Sequence, residues 1–242
     1  MNWTCVTVMP VYNEAECVEG VCREWLGRMA EIDGALLVVD DGSKDGSGRI
    51  LDSVAAVEPR LIVLHQLNSG HGAAVVNGYR RALDLSPEYV FQVDSDGEMP
   101  SQLFLEIWAM RGKADFVLGW RTGRQAHLLR LALSAVHRAL LGALFGVNLR
   151  DPNIPFRLMR SVQLRRLLET VPEGVFAPNV NLSLLAAKSG ALTLGPEVPV
   201  APRSGGVASI RGWRMVSLGL RCAGELVRFR LKEWRRFQED RP

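Results

Sequence analysis

Long hydrophobic runs are scarce in this sequence. The most apolar long segment, Leu128 to Val147, carries Arg130, His137 and Arg138, which spoils it as a membrane-spanning helix. No signal peptide is expected either, because Val6-Thr7-Val8-Met9 reads as a core strand after a five-residue start. The four cysteines (Cys5, Cys17, Cys22, Cys222) make no C-x-x-C pair and no metal spacing with the four histidines. That argues against a disulfide framework and structural zinc, and suits reduced, packed thiols on the cytosolic side. A net charge of +3 gives no case for a nucleic-acid partner. Two phosphate loops are also missing. No G-x-G-x-x-G follows the first strand and no G-x-x-x-x-G-K-[ST] occurs, so neither a dinucleotide site nor a Walker-type NTPase is indicated. Repeats and low-complexity linkers are absent too.

What is present is apolar and regularly punctuated. With 242 residues and 48% hydrophobic content, the chain can bury a substantial core. Cys5–Met9, Ala35–Val39, Leu61–His65 and Tyr89–Val93 read as strands, aliphatic enough for a sheet covered on both faces. Helices are expected from about Ala15, over Gly48–Val57 and over Ala73–Leu85. Strand, loop and helix repeated three times predict right-handed βαβ units and a mostly parallel sheet, with ligands beyond the carboxyl ends of its strands. The polar loops fall on that edge. They supply Glu14, then Asp40 and Asp41, then Asp94-Ser95-Asp96-Gly97-Glu98. A lone D-x-D is most often a solvated turn; here Asp94 and Asp96 suit a hard cation, Mg²⁺ or Mn²⁺, that shares a substrate's diphosphate oxygens.

Four motifs carry a resemblance: P-V-Y-N-E at 10–14, V-V-D-D-G-S-K-D-G-S at 38–47, N-S-G-H-G-A-A at 68–74 and D-S-D-G-E at 94–98. Their order and spacing resemble the family 2 glycosyltransferases, which have the GT-A fold, a Rossmann-like mostly parallel sheet flanked by helices. The resemblance implies that Pro10, Tyr12 and Glu14, with Asp40, Asp41 and Ser95, bind the nucleotide sugar. It also implies a metal between Asp94 and Asp96, with Asp96 catalytic. Glu98 stands where the family often has glutamine, so a third carboxylate could join the metal shell.

The second half is similar to the polyprenyl-phosphate branch, which includes the dolichyl-phosphate sugar synthases. After a strand at Phe116–Gly119 come Arg121, then Arg130 and Ser134 one turn apart, then Asp151 ahead of Phe156-Arg157. By resemblance Arg121, Arg130 and Ser134 hold the acceptor phosphate, and Arg203 and Ser209 lie in a segment that closes over the donor. The bland alternatives are surface arginines and a surface turn. Asp151 is the candidate base for a hydroxyl acceptor, or a turn residue before Pro152. Leu192–Val200 reads as an edge strand interrupted by Pro196 and Pro199.

From Arg211 to Phe237, eight basic residues face two glutamates. Val216, Leu220, Ala223, Val227, Leu231 and Trp234 recur at steps of three and four, and Arg214, Arg221, Arg228 and Arg235 at steps of seven. This predicts an amphipathic helix that lies on an anionic membrane or packs on the domain.

The expectation is one GT-A domain over 1–210 and a basic, membrane-interfacial helix over 211–242. The activity it implies is inverting hexosyl transfer from a UDP- or GDP-sugar to a polyprenyl phosphate by a peripheral enzyme on the cytosolic face. The alternatives are a soluble transferase acting on a hydroxyl through Asp151, and a membrane adaptor with a vestigial nucleotide-sugar site.

Overall fold

The computed structural model describes residues 3–123, 128–201, 213–232 and 234; the side chains of 128–132 and 213–215 fall outside it. In chain order the elements are β1 (Cys5–Val11), α1 (Val18–Ala30), β2 (Ala35–Asp40), α2 (Ser47–Ala55), β3 (Leu61–His65), α3 (His71–Asp84), β4 (Tyr89–Gln92) and α4 (Phe104–Ala109). There follow β5 (Phe116–Thr122), α5 (Leu128–Phe145), β6 (Arg157–Arg160), α6 (Ser161–Leu168), α7 (Pro178–Lys188), β7 (Leu192–Pro199) and α8 (Trp213–Lys232).

The described strands form one sheet in the order β3-β2-β1-β4-β6-β5-β7. Every pairing is parallel except those of β6, which runs antiparallel between β4 and β5. β1 and β2 are buried along their whole length because helices cover both faces. Alternation divides their side chains between the faces: Met9, Leu36 and Val38 pack with α1, α2 and α4, while Val6, Val8 and Leu37 pack with α3, α6 and α7. Under the acidic loop, Phe91 meets Phe156 at 4.9 Å, Phe104 at 5.1 Å and Trp25 at 5.5 Å between ring centres. Such pairs add about 0.5–1.5 kcal/mol each beyond area burial, so the strand that presents Asp94 has a stiff base.

The mostly parallel sheet and its loop-bearing edge match the expectation, and β7 is the edge strand. Its register shifts between Leu118 and Trp120 of β5, opposite Pro196. β6 was not anticipated. The packing of α8 on the domain was one of the two expected outcomes, but it is made by Leu226 and Phe229, with Trp234 beyond it, which join the core cluster beside Phe145. Of the expected apolar stripe, Leu220, Val227 and Leu231 are exposed whereas Trp234 is buried. No helix among the described residues is long and apolar enough to cross a membrane.

Candidate active site

The carboxyl ends of β1, β2, β3 and β4 bring four polar loops together, and the end of β5 carries Arg121 beside the acidic one. Gly97 takes a φ of 70°, which turns the chain so that Asp96 Oδ1 accepts from Glu98 N at 3.1 Å. Asp94 Oδ1 is buried with no hydrogen-bond partner among the described residues; the imidazole Nε2 of His71, the first residue of α3, lies 3.9 Å away. Burial pushes the Asp94 carboxyl up and Asp96 adds to this, against His71, Arg121 and Arg157. An orphaned carboxylate oxygen beside a second carboxylate fits a hard cation, one that would complete its shell with substrate oxygens. Among the described residues no group of three or more His, Cys, Asp or Glu is arranged to hold a metal ion.

Beside this loop stands an ion pair with both partners largely enclosed. Arg121 Nε and Nη2 donate to Asp151 Oδ2 and Oδ1 at 2.7 and 2.8 Å. Burial disfavours the guanidinium, but Asp151, with Asp94 and Glu98 beyond, more than offsets it and raises the Arg121 pKa. Beneath lies Arg157, fully buried at the start of β6, donating to Ile154 O, Pro152 O, Asn179 O and Ser183 Oγ. Burial lowers its pKa. Asn179 in turn donates to Gln92 Oε1, and the Tyr79 hydroxyl lies 2.7 Å from the same oxygen.

The two donor-side loops are stitched to each other. Asn13, at φ 55°, accepts from Lys44 N through Oδ1, while Glu14 N donates to Ser47 Oγ and Ala15 N to Asp45. Cys17 Sγ bridges Glu14 Oε2 and Ser95 O at 3.5 and 3.9 Å. Asp40 accepts from Ser43 N and pairs with His65 Nδ1 at 2.9 Å; His65 Nε2 pairs with Asp52 at the same distance. Burial works against the Asp40 charge, but Ser43 and His65 hold its carboxyl below the usual range. Asp41 accepts from Gln66 Nε2, Ser69 N and Gly70 N, and so anchors the loop that leads into α3.

Of the residues singled out from sequence, Tyr12, Glu14, Asp40, Ser95, Asp94, Asp96, Glu98, Arg121 and Asp151 share this edge. Pro10 is buried in β1 beyond its last residue paired with β4. Ser134 is exposed on α5. The Arg130 side chain, Arg203 and Ser209 lie outside the described residues; Ala201 N, just before, donates to Glu98 O at 3.0 Å. Sequence reading gave no role to His71 or His65 and named Arg157 only within the Phe156-Arg157 pair of the branch resemblance. His71 stands in a quoted motif; His65 is conspicuous only once the sheet brings its partners in.

The model of the family described as Glycosyl transferase family 2 matches residues 6–168. The undecaprenyl-phosphate mannosyltransferase of Micrococcus luteus is 29% identical over 93% of this chain and 98% of its own length. The polyprenol monophosphomannose synthase of Mycolicibacterium smegmatis is 27% identical over 86% of this chain and 81% of its own length. Among solved structures, glucosyl-3-phosphoglycerate synthase from Mycobacterium tuberculosis, in complex with Mn²⁺, UDP and glucosyl-3-phosphoglycerate, superposes with a TM-score of 0.67. It covers 94% of this chain and 80% of that one at 17% identity, a likeness of fold.

Proposed function

The chain belongs to glycosyl transferase family 2, and from that membership we propose that it moves a hexose, with inversion, from a UDP- or GDP-sugar to a polyprenyl phosphate at a membrane surface. The fold is the family's GT-A fold. The observation that carries the acceptor assignment is the Arg121–Asp151 pair. A hydroxyl acceptor needs a positioned base; Asp151 keeps a lone pair on each oxygen but is committed to a bidentate pair with Arg121, which suits a residue that orients a guanidinium. A phosphate monoester, with a second pKa of about 6, arrives anionic and needs orientation and screening instead. Arg121, held upright by Asp151, offers these through its guanidinium, and Arg130 and Ser134 on α5 complete the acceptor side. The acceptors named for two relatives, undecaprenyl phosphate and polyprenol monophosphate, agree with this reading.

Donor binding falls to the opposite loops. Tyr12, half-exposed at the rim, offers a ring to the base, while Glu14, Asp40 and Ser95 line the approach to ribose and diphosphate. Asp41 contributes by pinning the Gln66–Gly70 loop. Asp94 and Asp96 would hold Mg²⁺ or Mn²⁺, which neutralises the departing diphosphate. The chain at Ala201 is tied to Glu98, so the segment with Arg203 and Ser209 starts beside the acidic loop and is our choice for the donor cover. The catalytic domain covers 1–210. Residues 211–242 add the helix that turns Leu220, Val227 and Leu231 outward between basic residues, a face suited to the surface of an anionic bilayer.

The test is transfer by purified protein with Mn²⁺, labelled UDP- and GDP-sugars and short polyprenyl phosphates. Extractable labelled lipid, lost in Asp96→Ala, is the expected result. Labelling of a hydroxyl acceptor that Asp151→Asn abolishes and Arg130→Ala leaves intact would overturn the acceptor assignment.

A further inference from the structure

Two buried atoms at the end of β4 each lack what the other offers. Gln92 closes the strand and Asp94 follows two residues on; Val93 N still bonds Val8 O, so the chain there is extended. Both side chains therefore project to the same face, from Cα atoms roughly 6.6 Å apart. Gln92 Nε2 and Asp94 Oδ1 are both buried and, among the described residues, without hydrogen-bond partners. One is a donor and the other an acceptor. α3 passes over both: the Tyr79 hydroxyl lies 2.7 Å from Gln92 Oε1, and His71, two turns earlier on the same helix face, stands 3.9 Å from Asp94 Oδ1. Burial raises the Tyr79 pKa, Arg157 opposes this and Asp94 adds to it, so the carboxylate lies within electrostatic reach of the hydroxyl that touches Gln92.

The Gln92 amide is fixed from its other end. Oε1 accepts from Asn179 Nδ2 at 2.8 Å, the Tyr79 hydroxyl is 2.8 Å from Asn179 Oδ1, and Arg157 donates to the Asn179 carbonyl. Reversing the amide would set Nε2 against Asn179 Nδ2, donor against donor. Nε2 is thus kept on the side away from that cluster. The two oxygens of Asp94 differ as well. Its side chain is 30% exposed although Oδ1 is sealed, so Oδ2 is the oxygen open to the acidic loop and to a cation. A carboxylate that holds a metal is oriented by a hydrogen bond of its own, and for Oδ1 that bond has yet to be made. His71, 54% exposed, comes to Oδ1 from the solvent side, whereas Gln92 is wholly buried and comes from the interior.

We propose that Gln92 is a positioning residue for Asp94: when a cation draws the carboxyl group into line on Oδ2, Gln92 Nε2 donates to Oδ1 and fixes the angle at which Asp94 meets the metal. This rests on the reading of the acidic loop as a metal site. The experiment measures Mn²⁺ affinity by electron paramagnetic resonance on the full chain, with UDP or GDP present, in wild type, Gln92→Met, Tyr79→Phe and His71→Gln. Gln92→Met should bind Mn²⁺ about 10–100-fold more weakly, with UDP and GDP affinity in the absence of metal unchanged. Tyr79→Phe, which loosens the Gln92 carbonyl and keeps Nε2, should weaken it in the same direction by less. In wild type, Mg²⁺ should shift the Gln92 side-chain amide in NMR spectra, the resonance being assigned by its loss in Gln92→Met; this readout needs no variant to fold well. Equal Mn²⁺ affinity in Gln92→Met and wild type, an amide that ignores Mg²⁺, or a loss confined to His71→Gln overturns the proposal. A wild type that binds no Mn²⁺ overturns the metal site and the proposal together. A wild type that binds Mn²⁺ but labels no lipid counts against the transfer reading alone, and the affinity comparison still decides the role of Gln92.

Discussion

The surroundings of Asp94 serve folding poorly. Burial and the neighbouring Asp96 disfavour its charge, and its orphaned oxygen gains nothing from the protein alone. Asp94→Asn should therefore stabilise the metal-free protein, a gain of about 1 kcal/mol appearing as a rise of about 2–4 °C in Tm. Transfer should fall about a hundredfold or more, because a metal contact at the leaving group is worth several kcal/mol. Melting and rate on the same preparation check both; a lower Tm would mean that the carboxylate is structural. His65 gives a pH-dependent counterpart. The Asp52 and Asp40 carboxylates raise its pKa above 6.5, so its contribution is complete below pH 6.5 and lost as pH rises through the folded value. Asp40, with its lowered pKa, contributes above 3.8 and loses this as pH falls further. The Tm difference between wild type and His65→Gln should be widest between about pH 4 and 6.5 and should shrink in more alkaline buffer. His65 is 47% exposed, so solvent screening keeps the difference to a degree or two. A difference that grew with pH would refute the assignment.

At the scale of elements, the parallel half of the sheet was legible because each strand is a continuous apolar run followed by a turn-rich loop. β6 was not. Four residues with an arginine at each end show neither alternation nor an apolar run, and Arg157 is buried for reasons that lie in the 151–155 turn and α7. The donor loops were legible as a group but not in their division of labour. Asp40 and Asp41 are adjacent in sequence, yet one meets His65 and the other the Gln66–Gly70 backbone, since successive side chains at a strand end point to opposite sides. Arg157 ties these elements together. Arg157→Met removes a buried charge but orphans the Ile154 carbonyl, at about 1–3 kcal/mol, while Pro152 O keeps its bond from Ser183 Oγ. We expect a net fall in Tm of roughly 4–8 °C and a drop in kcat/KM, because the turn that presents Asp151 to Arg121 loses its anchor. Thermal unfolding and steady-state kinetics measure the two effects, and unchanged values for both would show that the turn holds by itself.

The whole molecule presents α8 with two apolar faces, and periodicity alone located only one of them. Leu220, Val227 and Leu231 are 67%, 41% and 73% exposed, whereas Leu226 and Phe229 on the adjoining face are buried with Trp234 against α5 and α7. The two faces have separable consequences. Replacing the outward residues together, Leu220→Ser/Val227→Ser/Leu231→Ser, removes side chains worth up to about 1.5–3 kcal/mol each when buried. Partition onto vesicles containing phosphatidylglycerol should fall more than about a hundredfold while Tm stays within about 1 °C. Phe229→Ala should do the reverse, losing about 3–5 kcal/mol of folding stability with vesicle binding of the folded protein retained. Sedimentation with vesicles and thermal melting of both variants provide the comparison. If the outward triple variant melted early and still bound vesicles, those residues would be packing against protein, and the membrane would have to be met by another face.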